Sequence, residues 1–150
     1  MDSTNHNSAG AWAKKFHLAA RSAIEATLKP YDLGSTQWYA LRHLFRDGPL
    51  AQSDLLKRLQ VEKATLSGVI SVLVRKGLVE QTTDPNDHRQ KLLSITSAGR
   101  TLWENLPDPI DLIRKTAFEG IPESDIATAV RVLSAGAERL NTFLKNGKKS

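Results

Sequence analysis

The spacing of apolar residues between Ala51 and Gly99 constrains the fold of this chain more than any other feature. Two successive segments place their apolar residues three and four apart, which is the spacing of an amphipathic helix. These residues are Leu55, Leu56 and Leu59 in the first segment and Leu66, Val69, Ile70, Leu73 and Val74 in the second. Gly77 follows as a helix stop. The pattern therefore predicts two consecutive short helices, the second of which buries its five apolar residues and ends before Gly77.

The residues after Gly77 have the pattern of a β-hairpin. The chain is predicted to be extended from Leu78 to Gln81, turn-forming residues cluster at 84–87, and residues 92–95 form the returning strand. Thr96 then offers the hydroxyl that the N-cap of a further helix requires. Helix, turn, helix, hairpin and helix start thus follow one another without interruption.

Two helices are predicted before this stretch. Apolar and small residues recur at helical spacing from Trp12 to Thr27, and Pro30 ends this first helix. Ser35 is placed to cap a second helix, which the Asp-Gly-Pro sequence at 47–49 ends. The stripe of the first helix that faces a partner is rich in alanine.

Two helices are predicted after the hairpin. The fifth runs from Thr96 towards Gly120, and Pro107 and Pro109 must kink or interrupt it. The sixth begins at Pro122, and its apolar residues alternate gaps of four and three, as in the seam of a coiled coil. This seam consists of Ile126, Val130, Leu133, Ala137, Leu140 and Leu144. Such a seam needs a partner helix, so we expect a homodimer.

The predicted fold is mainly α with a small β-hairpin: six helices and one two-stranded hairpin in a single domain of 150 residues. Cysteine is absent, which excludes disulfides, thiolate zinc sites, cysteine nucleophiles and thiol redox sensors. No apolar run approaches the roughly 20 residues of a membrane-spanning helix, and the polar residues 1–10 lack the apolar core of a signal peptide. We expect a cytoplasmic protein with a frayed N-terminus and no membrane partner.

The net charge of +5 agrees with a nucleic-acid partner. The positive charge is concentrated between residues 57 and 76, where five basic residues occur with one acidic residue. Opposite the apolar stripe of the fourth helix, four polar residues follow one another at intervals of four, with small residues beside them. They are Lys63, Ser67, Ser71 and Arg75, with Ala64, Thr65 and Gly68. A face without bulky apolar groups can enter the major groove and donate to bases and phosphates, although an ordinary solvated face has a similar pattern.

The hairpin tip carries a second basic cluster, in residues 87–91. Arginine favours the narrow and negative minor groove, and an aspartate two residues earlier can hold the guanidinium of Arg89 extended. An isolated hairpin of this composition is more often simply solvated. The preceding pair of helices favours DNA binding.

From Leu50 to Gly99 the sequence resembles the MarR family of bacterial winged-helix regulators. The matching segments are Gln52-Ser53-Asp54-Leu55-Leu56, Thr65-Leu66-Ser67, Lys76-Gly77-Leu78-Val79, Asp87-x-Arg89, and Leu93-x-Ile95-Thr96 followed by Gly99. The resemblance implies a winged helix-turn-helix lobe at residues 35–99 and a helical dimerisation region at residues 11–30 and 97–145. It further implies a homodimer whose fourth helix contacts the major groove of an operator in double-stranded DNA and whose wing arginine contacts the minor groove.

The residues that we predict to contact DNA lie on the third helix, the fourth helix and the wing. They are Gln52, Ser53, Lys63, Ala64, Thr65, Ser67, Gly68, Ser71, Arg75, Asp87, Arg89 and Lys91. Two residues depart from the family pattern. Glu62 replaces the usual serine or threonine cap of the recognition helix, and His88 replaces a basic residue of the wing.

Three other classes of protein are alternatives to this prediction. An enzyme is not expected, because the sequence has no phosphate-binding glycine loop, serine nucleophile motif or His-Glu metal motif. A metal-responsive regulator would need His17 and His43 to meet Glu25 or Asp32, and their spacing has no metal signature. A protein-interaction module that does not bind DNA is the remaining alternative.

A small-molecule effector is also predicted, because family members bind ligands between the dimerisation helices and the DNA-binding lobe. The candidate contacts are Trp12, His17, Arg21, Trp38 and Tyr39. Aromatic faces with an arginine suit an aromatic carboxylate or a phenol. Alternatively, the two tryptophans belong to the core and Arg21 is a surface charge.

Overall fold

The computed structural model describes residues 8–147, in which seven α-helices and three β-strands occur. The helices are α1 (Ala9–Leu28), α2 (Ser35–Asp47), α3 (Gln52–Leu59), α4 (Lys63–Arg75), α5 (Ser97–Asn105), α6 (Pro109–Phe118) and α7 (Glu123–Gly147). The strands are β1 (Leu50–Ala51), β2 (Val79–Asp84) and β3 (Asp87–Ile95), and a 3-10 turn covers Lys29–Tyr31. The predicted frayed N-terminus falls on residues that lie outside the described range.

The mainly α fold with a small β-hairpin is confirmed, and two counts change. The predicted fifth helix is two helices, because the chain leaves the α conformation at Leu106 and a new helix begins at Pro109. Proline can occupy the first turn of a helix but not its interior. The sheet has three strands in the order β1-β3-β2, since Leu50 and Ala51 pair with Leu93 and Leu92.

The helix boundaries show which local signals were correct. Thr96 caps α5 as predicted, because its Oγ1 accepts a hydrogen bond from the Gly99 N–H at 3.0 Å. Gly77 ends α4 with a φ of +75°, a conformation that favours glycine. The predicted Ser35 cap is wrong. Gly34 is the N-cap of α2, and the Glu25 carboxylate accepts the Ser35 N–H at 3.1 Å.

Within the described residues, the chain forms two compact units. The first, called the lobe here, is Arg21–Pro109, and the second, called the helical unit, comprises residues 8–20 and 110–147. The lobe contains a closed hydrophobic core in which α2, α3, α4 and β3 each bury leucines. Its fully buried side chains include Leu28, Leu41, Leu44, Leu55, Leu66, Ile70, Leu73 and Leu93. Each such burial contributes about 1.5 to 3 kcal/mol to folding.

The apolar residues of α4 are buried less completely than predicted. Leu66, Ile70 and Leu73 are buried and Val69 is half-buried, but Val74 is exposed. Val74 lies one residue beyond Leu73, so a helix that turns Leu73 fully inward directs Val74 about 100° away.

The helical unit has no buried side chain among its described residues. Phe16 of α1 stacks on Phe118 of α6 with ring centroids 5.5 Å apart. On α7 the seam residues Val130, Leu133, Leu140 and Leu144 are 47 to 65% exposed. This unit therefore presents apolar surface that the single chain does not cover.

Candidate DNA-binding surface

Helix α4 presents a polar face that is fully open to solvent. The predicted contacts on this helix are all exposed, namely Lys63, Ala64, Thr65, Ser67, Gly68, Ser71 and Arg75. Leu66, Ile70 and Leu73 fix the opposite face in the core. Because the helix is anchored on one side only, its outer side can approach another surface as a rigid unit.

The centre of this face is flat. Gly68 has no atom within 4 Å of the position that a Cβ would occupy, so the backbone is uncovered there. Ala64, Ser67 and Ser71 around it are small. A DNA duplex could therefore approach the helix closely. Lys63 and Arg75 lie near the two ends of the helix.

The two ends of α4 are fixed differently. Glu62 at the N-cap makes no side-chain capping bond, as expected for glutamate. At the C-terminal end the Lys76 ammonium contacts Asp32, through its backbone carbonyl and at 3.3 Å through its carboxylate, and donates to Gln37 Oε1 at 3.3 Å. The Lys76 charge therefore has a structural partner, whereas Arg75 is exposed.

Two side-chain contacts join the start of α3 to the wing, the hairpin of β2 and β3. Gln81 Nε2 on β2 donates to Gln52 Oε1 at 2.7 Å, and the Ser53 hydroxyl donates to Gln90 Oε1 on β3 at 3.4 Å. Gln52 and Ser53 were predicted to contact DNA. The structure places both residues beside the wing, where they form one surface with it.

The wing tip is organised by Asp87. Its Oδ1 accepts the backbone N–H of Arg89 at 3.1 Å and the guanidinium Nε–H at 3.3 Å, and its Oδ2 accepts Gln90 Nε2 at 3.2 Å. The Arg89 N–H, followed by the Gln90 amide and the guanidinium, lowers the pKa of Asp87, so this carboxylate stays charged. Arg89 is held by Asp87 as predicted, and its side chain remains 92% exposed.

A groove of about 310 Å³ connects α3, α4 and the wing. Its walls include Ser53 on α3, Lys63 on α4, and Arg89, Gln90 and Lys91 on β3. The structure thus brings three separate segments of the predicted DNA-contacting set to one concave, basic surface. Basic side chains around a concave surface attract phosphates.

The predicted effector contacts divide between the two units. Trp12 and His17 belong to the helical unit, where both are exposed, and Lys15 Nζ lies 4.5 Å from the Trp12 ring centroid. Arg21 is an exposed residue of the lobe.

Trp38 is a core residue of the lobe, with 3% of its surface exposed. Its ring centroid lies 5.0 Å from that of Tyr39 and 5.3 Å from that of Trp103. Trp38 is thus a core residue, as the alternative prediction for the tryptophans stated. Trp12 and Arg21 are exposed on the surface.

The proposed metal ligands do not form a site in the described part of the chain. His17 lies in the helical unit and His43 in the lobe. Among residues 8–147, no three histidine, aspartate or glutamate side chains lie close enough together to hold a metal ion.

Gln81 and Gln90 were missed by the sequence analysis. Both are polar residues in strands, and nothing in their local spacing distinguishes them from solvated side chains. Their partners are 29 and 37 residues away. In the register of β2 and β3, Gln81 lies opposite Leu93, and in the fold the wing lies beside α3. Only this three-dimensional arrangement brings the two glutamines to the basic surface.

Comparison with known proteins gives a family match over part of the chain and one fold. Residues 31–90 match the model of the MarR family. The MepR–DNA complex of S. aureus is 24% identical, with a TM-score of 0.78 over 86% of this chain and 95% of that one. BpsR of Bordetella bronchiseptica, whose DNA binding is regulated by 6-hydroxynicotinic acid, is 24% identical, with a TM-score of 0.75 over 85% and 97%.

A third similar structure is the PcaV transcriptional regulator of Streptomyces coelicolor in complex with its natural ligand. It is 22% identical, with a TM-score of 0.75 over 92% of this chain and 96% of that one. In the described residues, no helix combines the length and apolarity needed to cross a membrane.

Proposed function

We propose that this chain, whose residues 31–90 match the model of the MarR family, is a homodimeric, sequence-specific DNA-binding regulator that acts as a repressor. The observation that carries the proposal is the open face of α4. Seven exposed polar and small residues lie on the face away from the buried Leu66, Ile70 and Leu73. One of the seven, Lys63, lines a groove together with Arg89 and Lys91 of the wing. A solved complex of one similar protein, MepR, contains DNA.

The seam of α7 supports the homodimer. Its apolar side chains are exposed in one chain, and so are Trp12, Phe16 and Leu18 on α1. Exposed apolar residues at heptad spacing are covered most economically by a second copy of the same helix. A two-fold axis would then present two α4 helices to two half-sites about one helical turn apart, so the operator should be a pseudo-palindrome.

Selection of bound duplexes from random DNA tests this function directly. We expect enrichment of one pseudo-palindrome, and binding that weakens steeply as salt rises, because Lys and Arg displace counterions from phosphates. Recovery of duplexes without a shared sequence, or no retention of DNA at low salt, would contradict the proposal. The latter result would favour a protein-interaction module.

The role of α4 is tested by Ser67→Ala and Arg75→Ala on a set of operator variants. Loss of a base contact should cost about 1 to 3 kcal/mol on some variants and much less on others. Ser124→Ala, at an exposed position of α7 outside the lobe, is the control. A uniform loss across all variants would assign these residues to phosphate contacts instead.

The effector proposed for this protein is an aromatic acid whose carboxylate pairs with Arg21. Trp38 is not retained as a ring contact, because it is buried in the lobe. The proposal is supported by the exposure of Arg21 and by the regulation of BpsR by 6-hydroxynicotinic acid. A ligand that favours one spacing of the half-sites by about 1 to 3 kcal/mol would release the operator.

A panel of benzoate, salicylate and related phenolic acids tests the effector. Active members should raise the melting temperature and release DNA, and Arg21→Ala should abolish both effects without changing ligand-free DNA binding. Lys14→Ala, at an exposed cation on the same helix, should respond like the parent. An undiminished response of the Arg21 variant, or no response to any acid, would refute this site.

A further inference from the structure

A continuous set of hydrogen bonds connects the wing arginine to the body of the lobe. Arg89 donates to Asp87 Oδ1, Gln90 Nε2 donates to Asp87 Oδ2 at 3.2 Å, and the Ser53 hydroxyl donates to Gln90 Oε1 at 3.4 Å. The Gln90 amide is therefore used at both ends, as donor to a carboxylate and as acceptor from a hydroxyl. This fixes its orientation, because the reversed amide would place its oxygen against the carboxylate.

The position of Asp87 makes such a connection useful. Asp87 is the first residue of β3, next to a two-residue turn, and the pairing of β2 with β3 is irregular between Thr83 and Asp84. Ladder hydrogen bonds at this tip are therefore less regular than further along the strands. A carboxylate on such a tip directs a guanidinium accurately only if both of its oxygens are held. The backbone N–H of Arg89 holds Oδ1 at 3.1 Å, and Gln90 Nε2 is the group that holds Oδ2.

Resting on the DNA-binding function proposed above, we infer that Gln90 is a positioning residue: it fixes Asp87 to Ser53 at the start of α3 and thereby aims the Arg89 guanidinium at the minor groove. Arg89 has a long, flexible side chain to order on binding, and an arginine ordered beforehand loses less entropy when it inserts. Gln90 itself does not need to touch the DNA.

The chain contains a matched control for this role. Gln81 makes the other contact between wing and α3, to Gln52 at 2.7 Å, and its hydrogen bond lies outside the set that reaches Arg89. If both glutamines served only to hold the wing on the lobe, replacing either one would have the same consequence. If Gln90 positions Arg89, the two replacements differ.

The test compares Gln90→Met with Gln81→Met on operators with A·T-rich and G·C-rich flanks. Gln90→Met should lose about threefold to tenfold in affinity on A·T-rich flanks, the effect of one hydrogen bond, and much less on G·C-rich flanks. Gln81→Met should change both flanks equally. In an Arg89→Ala background, Gln90→Met should have no further effect, because the arginine that it positions is absent.

A measurement without DNA separates this inference from the proposed function. In the free protein, nitrogen-15 relaxation of the Arg89 Nε–H should show greater mobility in Gln90→Met and in Gln90→Glu, which repels Asp87, than in the parent or in Gln81→Met. Ser53→Ala should give an intermediate mobility, because it removes only the distal bond.

The outcomes are distinct. If no duplex binds the parent, the regulator function fails, while the relaxation data still decide whether Gln90 orders Arg89. If the parent binds, and Gln90→Met shows the parental flank preference or parental Arg89 mobility, the inference is overturned. Equal effects of Gln90→Met and Gln81→Met on both flanks would reduce Gln90 to a structural contact.

Discussion

The lobe and the helical unit differ in how completely a single chain buries their apolar side chains. In the lobe, a closed set of apolar side chains is fully buried, and two helix N-termini have side-chain partners, Glu25 for α2 and Thr96 for α5. In the helical unit no described side chain is buried, although its helix α7 is the longest in the described chain, at 25 residues.

The difference separates a part of the molecule whose apolar side chains one chain buries from a part whose apolar side chains one chain leaves exposed. Isolated helices gain little stability from propensity and depend on the packing of an apolar face. The lobe provides that packing itself, whereas the apolar residues of α7 remain in water. We therefore propose that the lobe contacts DNA and that the helical unit forms the assembly. Four sets of substitutions test this division of roles.

The largest effect is expected from charges in the α7 seam. Leu133→Glu combined with Leu140→Glu would bury uncompensated carboxylates between two copies, at a cost of about 3 to 5 kcal/mol to the assembly. Sedimentation at micromolar concentration should give twice 16.5 kDa for the parent and 16.5 kDa for the variant.

The matched control is Thr128→Glu combined with Thr142→Glu, which adds the same charges on the same helix opposite the seam. It should sediment like the parent. A parent that is a stable monomer, or a seam variant that remains a dimer, would break the division between the units.

The second effect concerns the lobe alone. A Cβ at Gly99 would lie 2.2 Å from the Leu78 carbonyl oxygen and 2.7 Å from Ile95 Cγ1, so Gly99→Ala must displace backbone. We expect a loss of about 1 to 3 kcal/mol in the free energy of unfolding by urea. Gly68→Ala, where a Cβ meets open space, should instead gain about 0.5 to 1 kcal/mol. Equal stability of the two variants would contradict the described packing.

The third effect tests a single helix terminus of the lobe. Thr96 Oγ1 accepts the Gly99 N–H and donates to the Gly77 carbonyl at 2.6 Å, so it joins the start of α5 to the end of α4. Thr96→Ala should lower the free energy of unfolding by about 1 kcal/mol. Thr96→Ser keeps the hydroxyl and should restore most of it. If serine were no better than alanine, the hydroxyl would not be the stabilising group.

The smallest effect is a pH dependence of the lobe. Burial lowers the pKa of His43, and the guanidiniums of Arg58 and Arg42 lower it further, against an opposing contribution from Asp47. The unfolded chain therefore binds this proton more readily than the folded one. The contribution of neutral His43 is present above its ordinary pKa, near 6.5, and is lost as the pH falls below that value.

His43→Gln should reduce the fall in melting temperature between pH 7.5 and 5.5 relative to the parent. Identical slopes for the two proteins would show that His43 keeps its ordinary pKa.

The sequence predicted the elements that local chemistry determines. Leu66, Ile70 and Leu73 at helical spacing, Gly77 at a positive φ and Thr96 at an N-cap are each specified by their neighbours in the chain. The same holds for Asp87 and Arg89, which meet across two residues.

The features that were missed depend on distant residues. Leu50 and Ala51 form a strand only because β3 lies beside them, and Ser35 loses its cap role because Glu25, ten residues earlier, supplies a carboxylate. Gln81 and Gln90 meet their hydrogen-bond partners on α3 only in the folded chain. A single sequence carries no such information, because a polar residue in a strand has the same local sequence pattern whether its partner is a side chain or water.

The central claim is tested most directly by comparing a full pseudo-palindrome with a single half-site as ligands for the parent and for the Leu133→Glu, Leu140→Glu variant. The parent should bind the full site about 100-fold or more tightly than the half-site, because its second lobe is held at high effective concentration. The variant should bind the half-site as the parent does and lose the preference for the full site. A monomeric variant that binds the full site as tightly as the parent would contradict the assignment of DNA contact to the lobe and assembly to the helical unit.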